Sequence, residues 1–187
     1  MKSNELIDLC FEILGLLFDI RYATEDNFLK RVLYPSARCF LHRDAVEALK
    51  GVQKELKAQG YSLKVFDGYR PLHVQQIMWD AIRDERYVSN PEKNFGRHTR
   101  GTAIDLTIVD SEGNELEMPT EFDDFTEKAH SFSLLPSETA KKNRELLQRL
   151  MLKYGFEIFD FEWWHFDLKG WNDNRKYPAL DLSFEEI

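Results

Sequence analysis

The sequence predicts an α+β domain with a mainly antiparallel central sheet flanked by helices. Three observations predict it. Residues 43–59 and 137–154 repeat apolar side chains at helical spacing. Residues 61–66, 102–109, 156–159 and 163–168 are short and rich in β-branched and aromatic residues, as strands are. The two kinds of segment follow one another without a regular βαβ rhythm. The 187 residues, 43% of them hydrophobic, read as one domain over 1–187 with no repeat or linker. A chain of this length can bury a sizeable core without disulfides or a structural metal.

Each element has its own signal. Residues 1–18 are expected to carry an N-terminal helix, because Leu6, Leu9, Ile13, Leu16 and Leu17 recur at helical spacing. A polar stretch over 19–38 shows weak strand character. The helix over 43–59 places Ala45, Leu49, Val52 and Leu56 on one face, and Gly60 ends it. In the strand over 61–66, Leu63 and Val65 alternate. Asp67-Gly68-Tyr69-Arg70-Pro71 is a turn, and Pro71 starts a second helix running to about Asp84. Residues 87–100 read as a loop. After the strand over 102–109, Ser111-Glu112-Gly113-Asn114 makes a reverse turn of a hairpin. An irregular segment runs to Pro136, Ser137 caps the next helix, and Gly155 stops it.

Composition narrows the function classes. A net charge of -8 argues against broad nucleic-acid binding and against adhesion to anionic membranes. No run approaches the ~18 apolar residues of a membrane span. Glu5, Asp8 and Glu12 interrupt the apolar N-terminal stretch and no small-residue cleavage site follows, so the cytoplasm is the expected location. Cys10 and Cys39 are too few for a disulfide framework or a cysteine metal site, and both read as reduced core residues.

The chemistry gathers in two segments. In the strand over 102–109, alternation puts Ile104, Leu106 and Ile108 on one face and Ala103, Asp105 and Thr107 on the other. The second face therefore offers a carboxylate among small residues. His98 precedes it by seven positions, and Gly101 supplies the bend that could swing His98 over Asp105. The other segment is Phe161-Glu162-Trp163-Trp164-His165-Phe166. An acid and a histidine in so apolar a run are costly unless paired or metal-bound. A separation of three sends them to opposite faces of a regular strand, so Glu162 belongs at the strand entrance or in a bulge.

Two imidazoles and a carboxylate suit Zn²⁺, and three protein ligands leave a fourth position for water. A carboxylate that is not a ligand, here Glu162, can take that water's proton and pass it to the leaving amine. Arg70, fixed between a strand end and a proline-started helix, could stabilise an oxyanion or could simply pair with a neighbouring acid. Taken singly, each residue also has a bland reading as a hydrogen-bonded core group. His42, His73 and His130 read as ordinary polar histidines.

Phe66-Asp67-Gly68-Tyr69-Arg70-Pro71, His98-x-x-Gly101-x-Ala103-x-Asp105 and Glu162-Trp163-Trp164-His165 resemble the VanX-type D-alanyl-D-alanine dipeptidases. These belong to the wider zinc D-Ala-D-Ala peptidase family. Tyr22-Ala23-Thr24-x-Asp26-Asn27-Phe28 and Phe122-Asp123-x-Phe125 resemble the same branch, so the likeness runs from about Asp19 to Leu168. The resemblance implies one zinc on His98, Asp105 and His165, Glu162 as general base and Arg70 as transition-state stabiliser. It implies that Tyr22 and Asp123 lie near the substrate's free ammonium group, in a pocket that takes a small D,D-dipeptide and no longer peptide. The family carries serines just before its first metal histidine; here stand Gly96 and Arg97. Arg97 can bind a carboxylate by its charged fork, or it can mark a changed substrate. Two alternatives stand beside the dipeptidase: a D,D- or L,D-carboxypeptidase or endopeptidase acting on peptidoglycan stem peptides, and a catalytically silent zinc-binding homologue.

Overall fold

In the computed structural model, which describes residues 5–187, the helix expected over 1–18 does not form as one element. β1 (Leu6–Asp8), a single helical turn α1 (Leu9–Glu12) and β2 (Leu17–Phe18) stand in its place. Asp8 starts the turn by accepting a hydrogen bond from the Cys10 amide, and Ile13 ends it in extended backbone. Gly15, at φ +80°, then reverses the chain where a helix would need φ near −60°. The apolar positions still bury Leu6, Leu9 and Ile13, because a strand and one turn can aim them at the same core. Residues 1–4 lie outside the described part. Cys10 is exposed, contrary to the core expectation, while Cys39 is buried; both are free thiols.

A 3-10 turn at Arg21–Ala23 and irregular backbone lead to β3 (Phe40–His42), which pairs antiparallel with β1. α2 (Arg43–Lys57) follows at once, with the His42 ring accepting from the Asp44 amide as its cap. Ala45, Leu49, Val52 and Leu56 form its buried face, as the spacing predicts. β4 (Ser62–Asp67) and α3 (Leu72–Ile82) match the expected strand and helix. The expected loop over 87–100 contains α4 (Pro91–Asn94), capped by Asn90, and a 3-10 turn at His98–Arg100. β5 (Ala103–Val109) is buried throughout. The hairpin turn closes through the Asp110 amide to the Asn114 carbonyl, with a single bridge from Val109 to Glu115. α5 (Glu138–Lys153) starts on the Ser137 cap, and β6 (Phe156–Ile158) and β7 (His165–Leu168) end the sheet.

The five-stranded sheet has the order β2-β4-β5-β7-β6. Only the β2–β4 pair is parallel; the rest are antiparallel. Register decides what each face carries. Leu63 opposes Ile108, Val65 opposes Leu106, and Ile104 opposes Phe166, so one face is apolar. These residues join one buried cluster with the apolar faces of α2 and α5. On the opposite face Asp105 sits across from His165, and Ala103 from Asp167. A bulge at Phe66 lets Asp67 oppose Asp105, which brings a second acid to that face. The polar groups therefore collect where β4, β5 and β7 lie side by side.

Candidate active site

Asp105 and His165 meet because the β5–β7 register sets them directly opposite each other, with His165 Nδ1 3.0 Å from Asp105 Oδ1. His98 reaches the same point from its 3-10 turn. Gly101 ends that turn at φ +66°, and a Cβ there would lie 2.5 Å from Leu6 and 3.0 Å from the His42 amide nitrogen. The bend expected at Gly101 is thus present, in a place with no room for a side chain. His98 Nε2 stands 3.2 Å from His165 Nδ1 and 3.4 Å from Asp105 Oδ2. The three residues are buried, and one donor atom from each lies within 4.8 Å of the others.

The far side of each ring explains which nitrogen faces inward. His98 Nδ1 is 2.7 Å from the Gly68 carbonyl oxygen, which can only accept, so the proton sits on Nδ1 and Nε2 faces the centre. Gly68 is closely packed: a Cβ there would stand 2.6 Å from Cys39 Sγ and 2.8 Å from the Phe40 carbonyl. His165 Nε2 is 3.0 Å from Asp167 Oδ1, so that carboxylate holds the proton of the second ring and Nδ1 faces inward. Burial opposes a charge on His165, yet Asp167 and Asp105 lift its pKa to about 10. Burial alone would raise Asp105, but His98 and His165 hold its carboxyl below the ordinary range. The arrangement favours a cation among these donors, and its nitrogen and carboxylate character fits zinc.

Glu162 precedes β7 in a turn, as one of the two sequence alternatives requires. The turn is tied down by Ser131 Oγ donating to the Phe159 and Glu162 carbonyls and by the Trp163 amide donating to Ala129. Its Oε2 lies 3.8 Å from His165 Nδ1. Burial pushes the Glu162 carboxyl well above the usual range; His165 opposes this, while Asp105 and Asp123 add to it.

Arg70 is ion-paired, as one of its two sequence readings has it. Its Nε and Nη2 donate to Asp67 Oδ2 at 3.2 and 2.7 Å, and Nη1 donates to Gln75 Oε1 at 2.9 Å. Tyr34 donates to the other oxygen of Asp67 at 2.8 Å. The guanidinium is thus an ion-paired group held rigidly, and it also lines the cleft, 5.3 Å from the Tyr22 ring. Tyr22 donates toward both oxygens of Asp123 at 3.1 Å. Burial, then Asp105, raise the Asp123 carboxyl to about 8. Arg97 also lines the cleft, and its Nη1 donates to Asp167 at 2.9 Å.

These residues share one cleft. Phe28, Met78, Tyr87 and Phe125 wall it. The sequence pointed to His98, Asp105, His165, Glu162, Arg70, Tyr22, Asp123 and Arg97, and all eight line this cleft. Sequence reasoning missed Asp67, Gln75 and Asp167. Asp167 had a usable signal, since it sits two residues after His165 and so on the same strand face. The other histidines lie elsewhere: His42 caps α2 and His73 pairs with Asp181. His130 packs against Phe161 with a buried Nε2 that finds no partner among the described residues.

A buried His-Asp-His donor set beside a buried glutamate, in a cleft of an α+β domain, is the kind of arrangement that metal-dependent hydrolases use. Comparison with known proteins makes this particular. The peptidase M15 family model, described as D-Ala-D-Ala dipeptidase, matches residues 2–183. A D-alanyl-D-alanine dipeptidase of Escherichia coli (strain K12) is 38% identical over 182 residues, covering 97% of this chain and 92% of its own. One from Enterococcus faecalis (strain ATCC 700802 / V583) is 31% identical over 190 residues, covering 91% and 92%. The structure of the LdcB LD-carboxypeptidase matches with a TM-score of 0.52 at 20% identity, covering 100% of this chain and 80% of that one. The chain belongs to the D-Ala-D-Ala dipeptidase family of M15 peptidases. Among the described residues, no helix is long and apolar enough to cross a membrane.

Proposed function

We propose that this chain is a zinc-dependent dipeptidase that hydrolyses free D-alanyl-D-alanine to two D-alanines. The observation that carries the reading is the convergence of His98 Nε2, His165 Nδ1 and Asp105 beside buried Glu162. His98, Asp105 and His165 would hold one zinc ion per chain. Zinc so held supplies a Lewis acid for the scissile carbonyl and makes water a nucleophile near neutral pH.

The chain's own groups supply the rest. Glu162 accepts the proton of the attacking water and delivers it to the departing amine. Burial raises its pKa, which makes it a stronger proton acceptor than an exposed carboxylate. Arg70, immobilised by Asp67 and Gln75, offers a fixed cation to the oxyanion that develops on the carbonyl. Asp123, with Tyr22 on its oxygens, receives the substrate ammonium. A buried carboxyl raised to about 8 is costly to ionise alone, and an arriving cation offsets that cost. Arg97, on the cleft wall, takes the substrate carboxylate with the part of its fork turned away from Asp167. A site that pairs both charged termini so close to the scissile bond rejects longer peptides, which lack one of them there.

The test compares free D-Ala-D-Ala with longer peptides ending in the same pair. Hydrolysis of the dipeptide alone is the expected result. Preference for the longer peptides would establish a carboxypeptidase or endopeptidase instead. A folded, zinc-loaded protein inactive on D,D-, L,D- and L,L-dipeptides would establish a silent binding module.

A further inference from the structure

The proposed reaction uses His165 through Nδ1 and leaves the other edge of the ring to Asp167. Asp167 is buried, two residues further along β7 on the same face. One of its oxygens accepts from His165 Nε2 at 3.0 Å, and the other accepts from Arg97 Nη1 at 2.9 Å. The Arg97 guanidinium is itself gripped, 4.1 Å from the Phe159 ring centroid and 5.1 Å from that of Trp171. Phe159 also stands edge-on to the His165 ring, with centroids 5.3 Å apart.

We infer that Arg97 and Asp167 form a positioning unit that fixes the tautomer and orientation of His165 for the metal. The inference rests on the metal centre proposed above. A carboxylate that touches only the histidine can swivel about its own side-chain bonds. A second anchor on its other oxygen removes that freedom, and the two aromatic faces remove the freedom of the anchor. Arg97 also stands immediately before His98, so one turn delivers a metal donor and the brace of another donor. Occupation of the Arg97 edge by a substrate carboxylate is thereby coupled to the ligand set.

Two effects of Arg97 on zinc oppose each other. Its charge repels the ion, so losing it should tighten binding. Its fork orders Asp167 and His165, so losing that should weaken binding. The inference is that order wins.

The experiment is chelator competition for Zn²⁺ without substrate, on the parent, Asp167→Asn, Arg97→Met, Arg97→Lys and the Asp167→Asn/Arg97→Met double variant. Circular dichroism of each metal-free protein checks folding, and Arg97→Lys guards against collapse of Arg97→Met. Asp167→Asn should weaken zinc by about 10–100-fold. Arg97→Met and Arg97→Lys should each show a smaller loss, since Lys keeps the charge and loses the flat fork. The double variant should bind no more weakly than Asp167→Asn, because Arg97 acts through Asp167. Unchanged or tighter zinc in Arg97→Met, parental affinity in Arg97→Lys, or a full additional loss in the double variant would each overturn the inference. A parent that binds no zinc would overturn the metal centre as well, whereas a parent that binds while every variant matches it would overturn only the positioning role.

Discussion

The two faces of the central sheet are built from the same strands and solve opposite problems. On one face Leu63, Val65, Ile104, Leu106, Ile108 and Phe166 meet the apolar sides of α2 and α5, and burial is stabilising without further conditions. On the other, Asp67, Asp105, His165 and Asp167 are equally buried, and each is tolerable only because a specific partner meets it. Alternation along β5 and β7 separates the two, and the bulge at Phe66 turns Asp67 to the polar side. Stability and chemistry in this chain can therefore be perturbed separately, although they lie one residue apart.

The largest separation is expected at Glu162. Glu162→Ala should lower kcat by about 10²–10⁴-fold. It should leave thermal stability unchanged or higher, since it removes a buried carboxyl whose ionisation burial opposes. A loss of stability in step with the loss of rate would show that the two faces are not independent. Arg70→Lys keeps a charge but loses the fork on Asp67, and should cost about 10²–10³-fold in kcat. Steady-state kinetics on the folded variant checks this, and an effect confined to KM would remove Arg70 from the transition state.

The apolar face should behave in the reverse way. Leu106→Ala removes a fully buried side chain and should cost about 2–5 kcal/mol by denaturant unfolding. The kcat of the molecules that remain folded should stay close to the parent value.

Asp123 ties the polar face to pH. Its folded pKa of about 8 lies above the unfolded value of about 3.9, so the native state holds the proton more tightly. That contribution is full below about pH 4 and is lost as pH rises through 8. Asp123→Asn removes the slope, so its stability relative to the parent should rise between pH 5 and pH 8. The gain is on the order of a few kcal/mol or less. The same variant should bind dipeptide more weakly. A flat stability difference across that range would show that Asp123 is ionised throughout.

Much of this division was legible in the sequence, because a charge inside an apolar strand is conspicuous. Asp105 stood among Ile104, Leu106 and Ile108, and Glu162 and His165 stood among tryptophans. Asp67 was not singled out, because its place on the site face depends on the bulge at Phe66, and a one-residue bulge leaves no mark in a periodicity. Asp167 was passed over although its spacing from His165 was favourable. The N-terminal segment departs from its helical spacing for a related reason. Leu6, Leu9 and Ile13 satisfy helical spacing, but a strand, a turn and the reversal at Gly15 bury the same residues, and pairing with β3 supplies the backbone partners.

The most direct test is D-alanine release from D-Ala-D-Ala by the zinc-loaded protein, beside a chelated sample and Glu162→Ala. Release by the loaded parent, abolished by chelation and reduced at least about 10²-fold in Glu162→Ala, is the expected result. Release that survives chelation, or that Glu162→Ala sustains at the parental rate, would contradict it.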